Sequence, residues 1–174
     1  MSSEPITAPP GLVEAGHCRV VRDVAGQPGV ETLEGRLVPL MTGEGIRSHV
    51  IVMHPGQYCW PHPHDTESLI YTISGRWVFC TTDDGTEDGE EVRVQIGEGD
   101  LFHFVAGVPT GFETPFNETA VILIFKGSGG SYESMMQGMQ DAKESLEQMA
   151  ADGEIFRLDQ LPEDHPARNF VTWS

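Results

Sequence analysis

The stretch that decides the reading is Gly56-Gln-Tyr-Cys-Trp-Pro-His62-Pro-His64-Asp-Thr-Glu67-Ser68-Leu-Ile-Tyr71-Thr-Ile-Ser-Gly75. Two of the chain's seven histidines stand two apart in it. On a strand, side chains alternate faces with a period of two, so His62 and His64 point to the same side. Two neighbouring imidazole nitrogens on one wall can converge on a single ion, which suits a divalent first-row metal. A His-x-His pair alone is a weak signal, and its meaning depends on the frame around it.

That frame is a series of short runs rich in Val, Ile, Phe, Tyr and Thr. They are Arg47–Met53, Leu69–Ser74, Arg76–Thr82, Val92–Ile96, Leu101–Val105 and Ala120–Lys126. Turn signals separate them at Pro55-Gly56, Ser74-Gly75, Asp84-Gly85, Gly97-Glu98-Gly99 and Ala106-Gly107. Many short strands with regular turns predict a sandwich or barrel. The acidic segment Asp83–Glu91 reads as the solvated tip of a hairpin.

Before this block, Pro5, Pro9, Pro10, Gly11, Gly16, Gly26, Pro28 and Gly29 break any regular core element and predict an arm, with one short strand at His17–Val24. After it, Gly127-Ser-Gly-Gly130 reads as a joint. Tyr132, Met135, Met136, Met139, Ala142, Leu146 and Met149 then recur at helical spacing, with Ser131 placed to cap and Gly153 to end the helix. The methionine stripe predicts a packed face, against the barrel or a second subunit. From Glu154 on, Ile155, Phe156, Leu158, Leu161, Phe170 and Trp173 are anchors of a tail that wraps the domain as extended chain.

The 174 residues carry 10 Lys plus Arg against 27 Asp plus Glu, a net charge of −17, which repels phosphate backbones and anionic lipid surfaces. Nucleic acid and membrane are therefore not expected partners. No apolar run approaches the roughly 20 residues of a membrane span, and Met1–Pro10 lacks the basic start and apolar centre of a signal peptide, so a soluble, unprocessed chain is expected. Cys18, Cys59 and Cys80 are odd in number and widely spaced, which argues against a disulfide framework and points to a cytoplasmic location.

The Gly56–Gly75 stretch resembles the first motif of the cupin family: a Gly, five residues, His-x-His, three or four residues, Glu, six residues, Gly. Gly99-Asp100-Leu-Phe-His-Phe-Val105-Ala-Gly107-Val-Pro-Thr110-Gly-Phe112-Glu-Thr114 resembles the second, which runs from Gly-Asp through a Pro-x-Gly turn to a His and an Asn. The resemblance implies a metal or ligand site inside a barrel, with His62 and His64 as ligands. The family's Glu position falls on Ser68, with Glu67 one residue early; a bulge between His64 and Glu67 would turn Glu67 back toward the histidines. The second motif carries Val105 for the turn Pro, Thr110 for the ligand His and Thr114 for the Asn. A hydroxyl is a poor ligand unless deprotonated, so Ser68 and Thr110 are expected to hydrogen-bond a substrate, with Phe112 shaping the pocket. His103 is a further imidazole if its strand turns it inward.

The expected fold is thus all-β: a cupin double-stranded β-helix, or jelly-roll barrel, at 33–127, with an N-terminal arm at 1–32 and a C-terminal amphipathic helix and tail at 128–174. The expected metal ligands are His62, His64 and Glu67, holding a divalent Fe, Mn, Ni or Zn. The expected substrate-binding residues are Ser68, Thr110 and Phe112. The resemblance implies either a metal-dependent dioxygenase, isomerase or lyase acting on a small molecule, or a non-enzymatic small-molecule binder whose metal site has decayed. A homodimer is expected.

Overall fold

The structure is a computed structural model and describes residues 7–170. A hairpin of β1 (Leu12–Ala15) and β2 (Cys18–Val21) stands alone. Ten further strands follow: β3 (Val30–Thr32), β4 (Gly35–Thr42), β5 (Ile46–Met53), β6 (Tyr58–His62), β7 (Ser68–Ser74), β8 (Trp77–Thr82), β9 (Glu91–Ile96), β10 (Leu101–Phe104), β11 (Thr110–Glu113) and β12 (Ala120–Gly127). They form a six-stranded sheet in the order β10-β7-β12-β5-β4-β3 and a four-stranded sheet in the order β6-β11-β8-β9, antiparallel throughout. The chain is mostly β, as the run-and-turn pattern predicts.

Residues directly opposite in an antiparallel ladder face the same side, so the inner wall of the large sheet can be read in rows. The deepest row is Leu37, Ile51, Ile122 and Thr72. The next is His49, Ile124, Ile70 and Phe102. The last, at the strand ends, is Arg47, Lys126, Ser68 and Phe104. The apolar members of the inner rows pack with Met53, Trp77, Phe79 and Phe112 into the main core. On the opposite face, Val38, Leu40, Val50 and Val52 form a second cluster that Val21 and Val24 of the arm cover.

The arm therefore has a packing role, and its single expected strand is instead the β1–β2 hairpin. The remaining differences have local causes. β6 and β11 are short and carry Pro and Gly, so neither reads as a run of strand formers, yet each is held by its neighbours in the sheet. β4 lies in the expected barrel region, ahead of the first of the expected runs.

Helix α1 (Tyr132–Ala151) starts at Ser131, whose hydroxyl accepts from the Ser134 amide while the Ser134 hydroxyl accepts from the Ser131 amide. Gly153, at φ +105°, follows the Asp152 cap. Met135 and Met139 are buried against Leu37, Val30 and Ile51, so this part of the stripe packs on the barrel; Leu146 and Met149 are only partly covered. The tail is not wholly extended. It contains a 3-10 turn at Leu158–Gln160, and Leu158, Leu161 and Ala167 bury Tyr58 of β6. Trp173 lies outside the described residues.

Candidate ligand cavity

Strand β6 is irregular where the site begins. Thr110 lies opposite His62 and Phe112 opposite Cys59, so β6 advances three residues while β11 advances two. The extra residue falls in Trp60-Pro61, where proline has no N–H to give the ladder. A side chain at Gly111 would run into the backbone of Cys59 and Pro61, so glycine is what lets the strands close over the bulge. Cys59 lines the interior, whereas Tyr58 and Trp60 pack outward under the tail.

The interior holds a cavity of about 230 Å³. One wall is aromatic, built by Trp77, Phe79, Phe102, Phe104 and Phe112, with Phe79 and Phe102 ring centres 4.1 Å apart. Ile51, Met53, Ile70, Ile122 and Ile124 supply the aliphatic floor. The three expected substrate-contacting side chains, Ser68, Thr110 and Phe112, all line this cavity. Ser68 and Thr110 are each 3% exposed, and neither hydroxyl has a hydrogen-bond partner among the described residues.

The histidine pair divides. The two rings lie 4.3 Å apart and 37° from parallel. His64 lines the cavity against Phe104, with ring centres at 4.8 Å. Its pKa is pushed down to about 4, first by burial and then by the charges of His62 and Lys126, against an opposing backbone contact from Thr110. His62 leans on Trp60, with its Nδ1 2.9 Å from the Trp60 carbonyl oxygen, and is not a lining residue. Glu67, expected as the third ligand, points outward: its Oε1 is 2.6 Å from His103 Nε2, with side chains 68% and 53% exposed. The histidines do not share a strand, since His62 ends β6 and 63–67 form the loop to β7, so neither a bulge nor strand parity relates Glu67 to them. His103 is correspondingly turned away from the interior.

Four polar lining residues escaped the sequence reading of the site. Glu34, in the β3–β4 turn, accepts from the Cys59 thiol at 3.3 Å. Burial, then the Glu34 carboxylate, push that thiol well above its ordinary pKa, so Cys59 is no thiolate nucleophile. His49 is pushed down to about 3, by burial first and then by Lys126 and Arg47. Burial and Arg47 also lower Lys126, against the pull of Glu34. Strand parity was the available signal: His49 alternates with Ile51 and Met53, and Lys126 with Ile124 and Ile122, all inward.

Two antiparallel sheets closed around an inner cavity define a small jelly-roll barrel. Residues 49–126 match the family model described as Cupin domain. The fold is similar to that of CapF, at 14% identity and a TM-score of 0.50, covering 59% of this chain and 31% of that one. The chain also resembles the oxalate decarboxylase of Bacillus subtilis with Mn(II) centres, at 26% identity and a TM-score of 0.49, covering 59% and 27% of the two chains. A third likeness is to the polyketide cyclase RemF from Streptomyces resistomycificus, at 20% identity and a TM-score of 0.47, covering 57% and 68%. The chain spans under a third of the oxalate decarboxylase chains it matches. No curated protein sequence matches it. Among the described residues, no helix is long and apolar enough to cross a membrane.

The donor set does not fit the divalent metal that the first motif implies. No three His, Cys, Asp or Glu side chains among the described residues converge as a metal-binding group. Of the four positions, one histidine leans away onto Trp60 and two carry neutral hydroxyls, which hold Fe(II), Mn(II), Ni(II) or Zn(II) poorly.

Proposed function

We propose that this barrel is a non-enzymatic small-molecule-binding cupin whose ligand is organic and largely apolar. The observation that carries the reading is the aromatic cavity containing two buried hydroxyls with no partner of their own. A buried hydroxyl left unsatisfied costs about 1–3 kcal/mol, which a ligand acceptor at Ser68 or Thr110 would recover. The aromatic and aliphatic walls contribute the bulk of the affinity, at roughly 25 cal/mol per Å² of apolar surface buried. His64, held neutral, offers a hydrogen bond without a charge.

The test is binding of neutral ring compounds, benzyl alcohol and 1-naphthol, by titration calorimetry and thermal unfolding of the full chain. Saturable one-to-one binding is expected, with stabilisation of about 2.7 kcal/mol at a hundredfold excess over Kd. Absence of binding for every ring compound, together with a full equivalent of tightly held metal, would replace this reading with that of a metal-dependent enzyme.

A further inference from the structure

Two cations sit side by side where the cavity meets an adjoining hollow, with no acidic ion-pair partner among the described residues. Arg47 and Lys126 are direct cross-strand neighbours on the inner face of β5 and β12. Like charges placed directly opposite destabilise a sheet. The arrangement is the more unexpected in a chain with only 10 Lys plus Arg against 27 Asp plus Glu. Neither residue makes an ion pair among the described residues. The acidic neighbour acting on Lys126 is Glu34, whose carboxylate already accepts from Cys59. His49, beside both cations, is held neutral.

The place is also open to a ligand. Lys126, His49 and Leu37 line both the main cavity and an adjoining hollow of about 220 Å³ beneath Met135 and Met139 of α1, which Arg47 also lines. Ser68 is the cross-strand neighbour of Lys126 on its other side, and its buried hydroxyl has no partner among the described residues. Three consecutive positions of one inward row therefore present a guanidinium, an ammonium and a free hydroxyl, next to an aromatic wall. A local arrangement that costs stability without an internal partner marks a functional site.

We propose that the ligand is an amphiphilic carboxylic acid, its ring or alkyl body against Phe79, Phe102 and Phe112 and its carboxylate at the Arg47–Lys126–Ser68 row. The proposal rests on the small-molecule-binding reading above and adds the charge of the ligand. Lys126 and Arg47 supply charge-assisted hydrogen bonds, and Ser68 donates its hydroxyl proton to a carboxylate oxygen. Glu34 opposes the lowering of the Lys126 pKa by burial and Arg47.

The experiment is calorimetry on the full chain near neutral pH with matched pairs: phenylacetate against 2-phenylethanol, and octanoate against octanol. The carboxylate is expected to bind at least about tenfold more tightly than its alcohol, the scale of one hydrogen bond to a charged group. Lys126→Met and Arg47→Gln are each expected to bring the carboxylate-to-alcohol ratio down toward one. Arg47 sits near a strand end, so its variant remains informative should Lys126→Met fold poorly. Equal binding of acid and alcohol, or a ratio insensitive to both substitutions, overturns the carboxylate proposal and leaves the small-molecule reading standing. Binding of neither member of either pair overturns both.

Discussion

Glu67 and His103 meet on the outside of the barrel, 2.6 Å apart, while the very next residue after Glu67, Ser68, faces the cavity with a partnerless hydroxyl. One step of strand thus separates a carboxylate in water from a hydroxyl on the inner wall. Because 63–67 is a loop between β6 and β7, the direction of Glu67 is set by its place just before Ser68 and not by the histidines. The exposed pair contributes little: Glu67→Gln and His103→Ala should each change stability by less than about 1 kcal/mol. Urea unfolding and ligand calorimetry check this together, and a drop in ligand affinity would place Glu67 at the site after all.

Metal content follows from the same geometry. Protein purified without a histidine tag from cells grown with added Fe, Mn, Ni and Zn should hold less than about a tenth of an equivalent of any of them, given a donor set of two imidazoles and two hydroxyls. Elemental analysis reads the result directly. Near-stoichiometric metal that is lost in His64→Ala would mean that His62 swings off Trp60 to join it.

The barrel was legible because its evidence is local. Alternation in Arg47–Met53 and Ala120–Lys126, turn glycines, and the Ser131 cap each act within a few residues, and each appears where expected as β5, β12 and α1. The inward placement of Ser68, Thr110 and Phe112 likewise follows from their positions in the two motifs. The division of the histidine pair was not legible, because β6 ends at His62 and leaves His64 in a loop where period-two reasoning does not apply. Nor was the polar cluster: Arg47, Lys126 and Ser68 come from three strands far apart in sequence, and only the registers β5–β12 and β12–β7 bring them into one row.

The orphan hydroxyls separate binding from folding. Ser68→Ala and Thr110→Val remove a buried group that lacks a partner, so the ligand-free protein should keep its stability or gain up to about 1 kcal/mol. Ligand affinity should fall in the same variants. A residue with a merely structural role would lower stability instead, which denaturant unfolding without ligand reveals.

On the outer side of the small sheet, Arg93 Nε donates to Glu113 Oε1 at 2.8 Å, and Glu113 is fully buried. Burial raises the Glu113 pKa and Arg93 opposes the rise, while the second carboxylate oxygen has no partner among the described residues. Removing one member leaves the other's charge stranded, so Glu113→Ala should lose roughly 3 kcal/mol, at the low end for a broken buried pair because Arg93 keeps Glu91 at 2.6 Å. The double variant Arg93→Met with Glu113→Leu should lose clearly less than the two single losses added. A double variant as unstable as that sum would show that the two groups do not act as a pair.

Acid should unfold the barrel through its inner histidines. His64 titrates at about 4 and His49 at about 3 in the folded chain, against 6.5 when free. As the pH falls below about 6.5 the unfolded chain takes up protons that the folded chain refuses, so stability declines with falling pH. The decline continues to about 4 for His64 and about 3 for His49, below which each contribution is gone. Each unit of separation corresponds to roughly 1.4 kcal/mol, so between about pH 7 and about pH 5 the buried His49 removes on the order of 2 kcal/mol, and the half-buried His64, screened by solvent, removes less. Glu113 acts in the opposite sense, since its raised pKa makes protonation easier in the folded state than in the unfolded one. The histidine share is isolated by comparing the native chain with His49→Gln and His64→Gln, whose urea midpoints should fall less steeply over the same range. Parallel slopes for all three would mean that carboxylates alone govern the acid transition and that both rings take up protons in place.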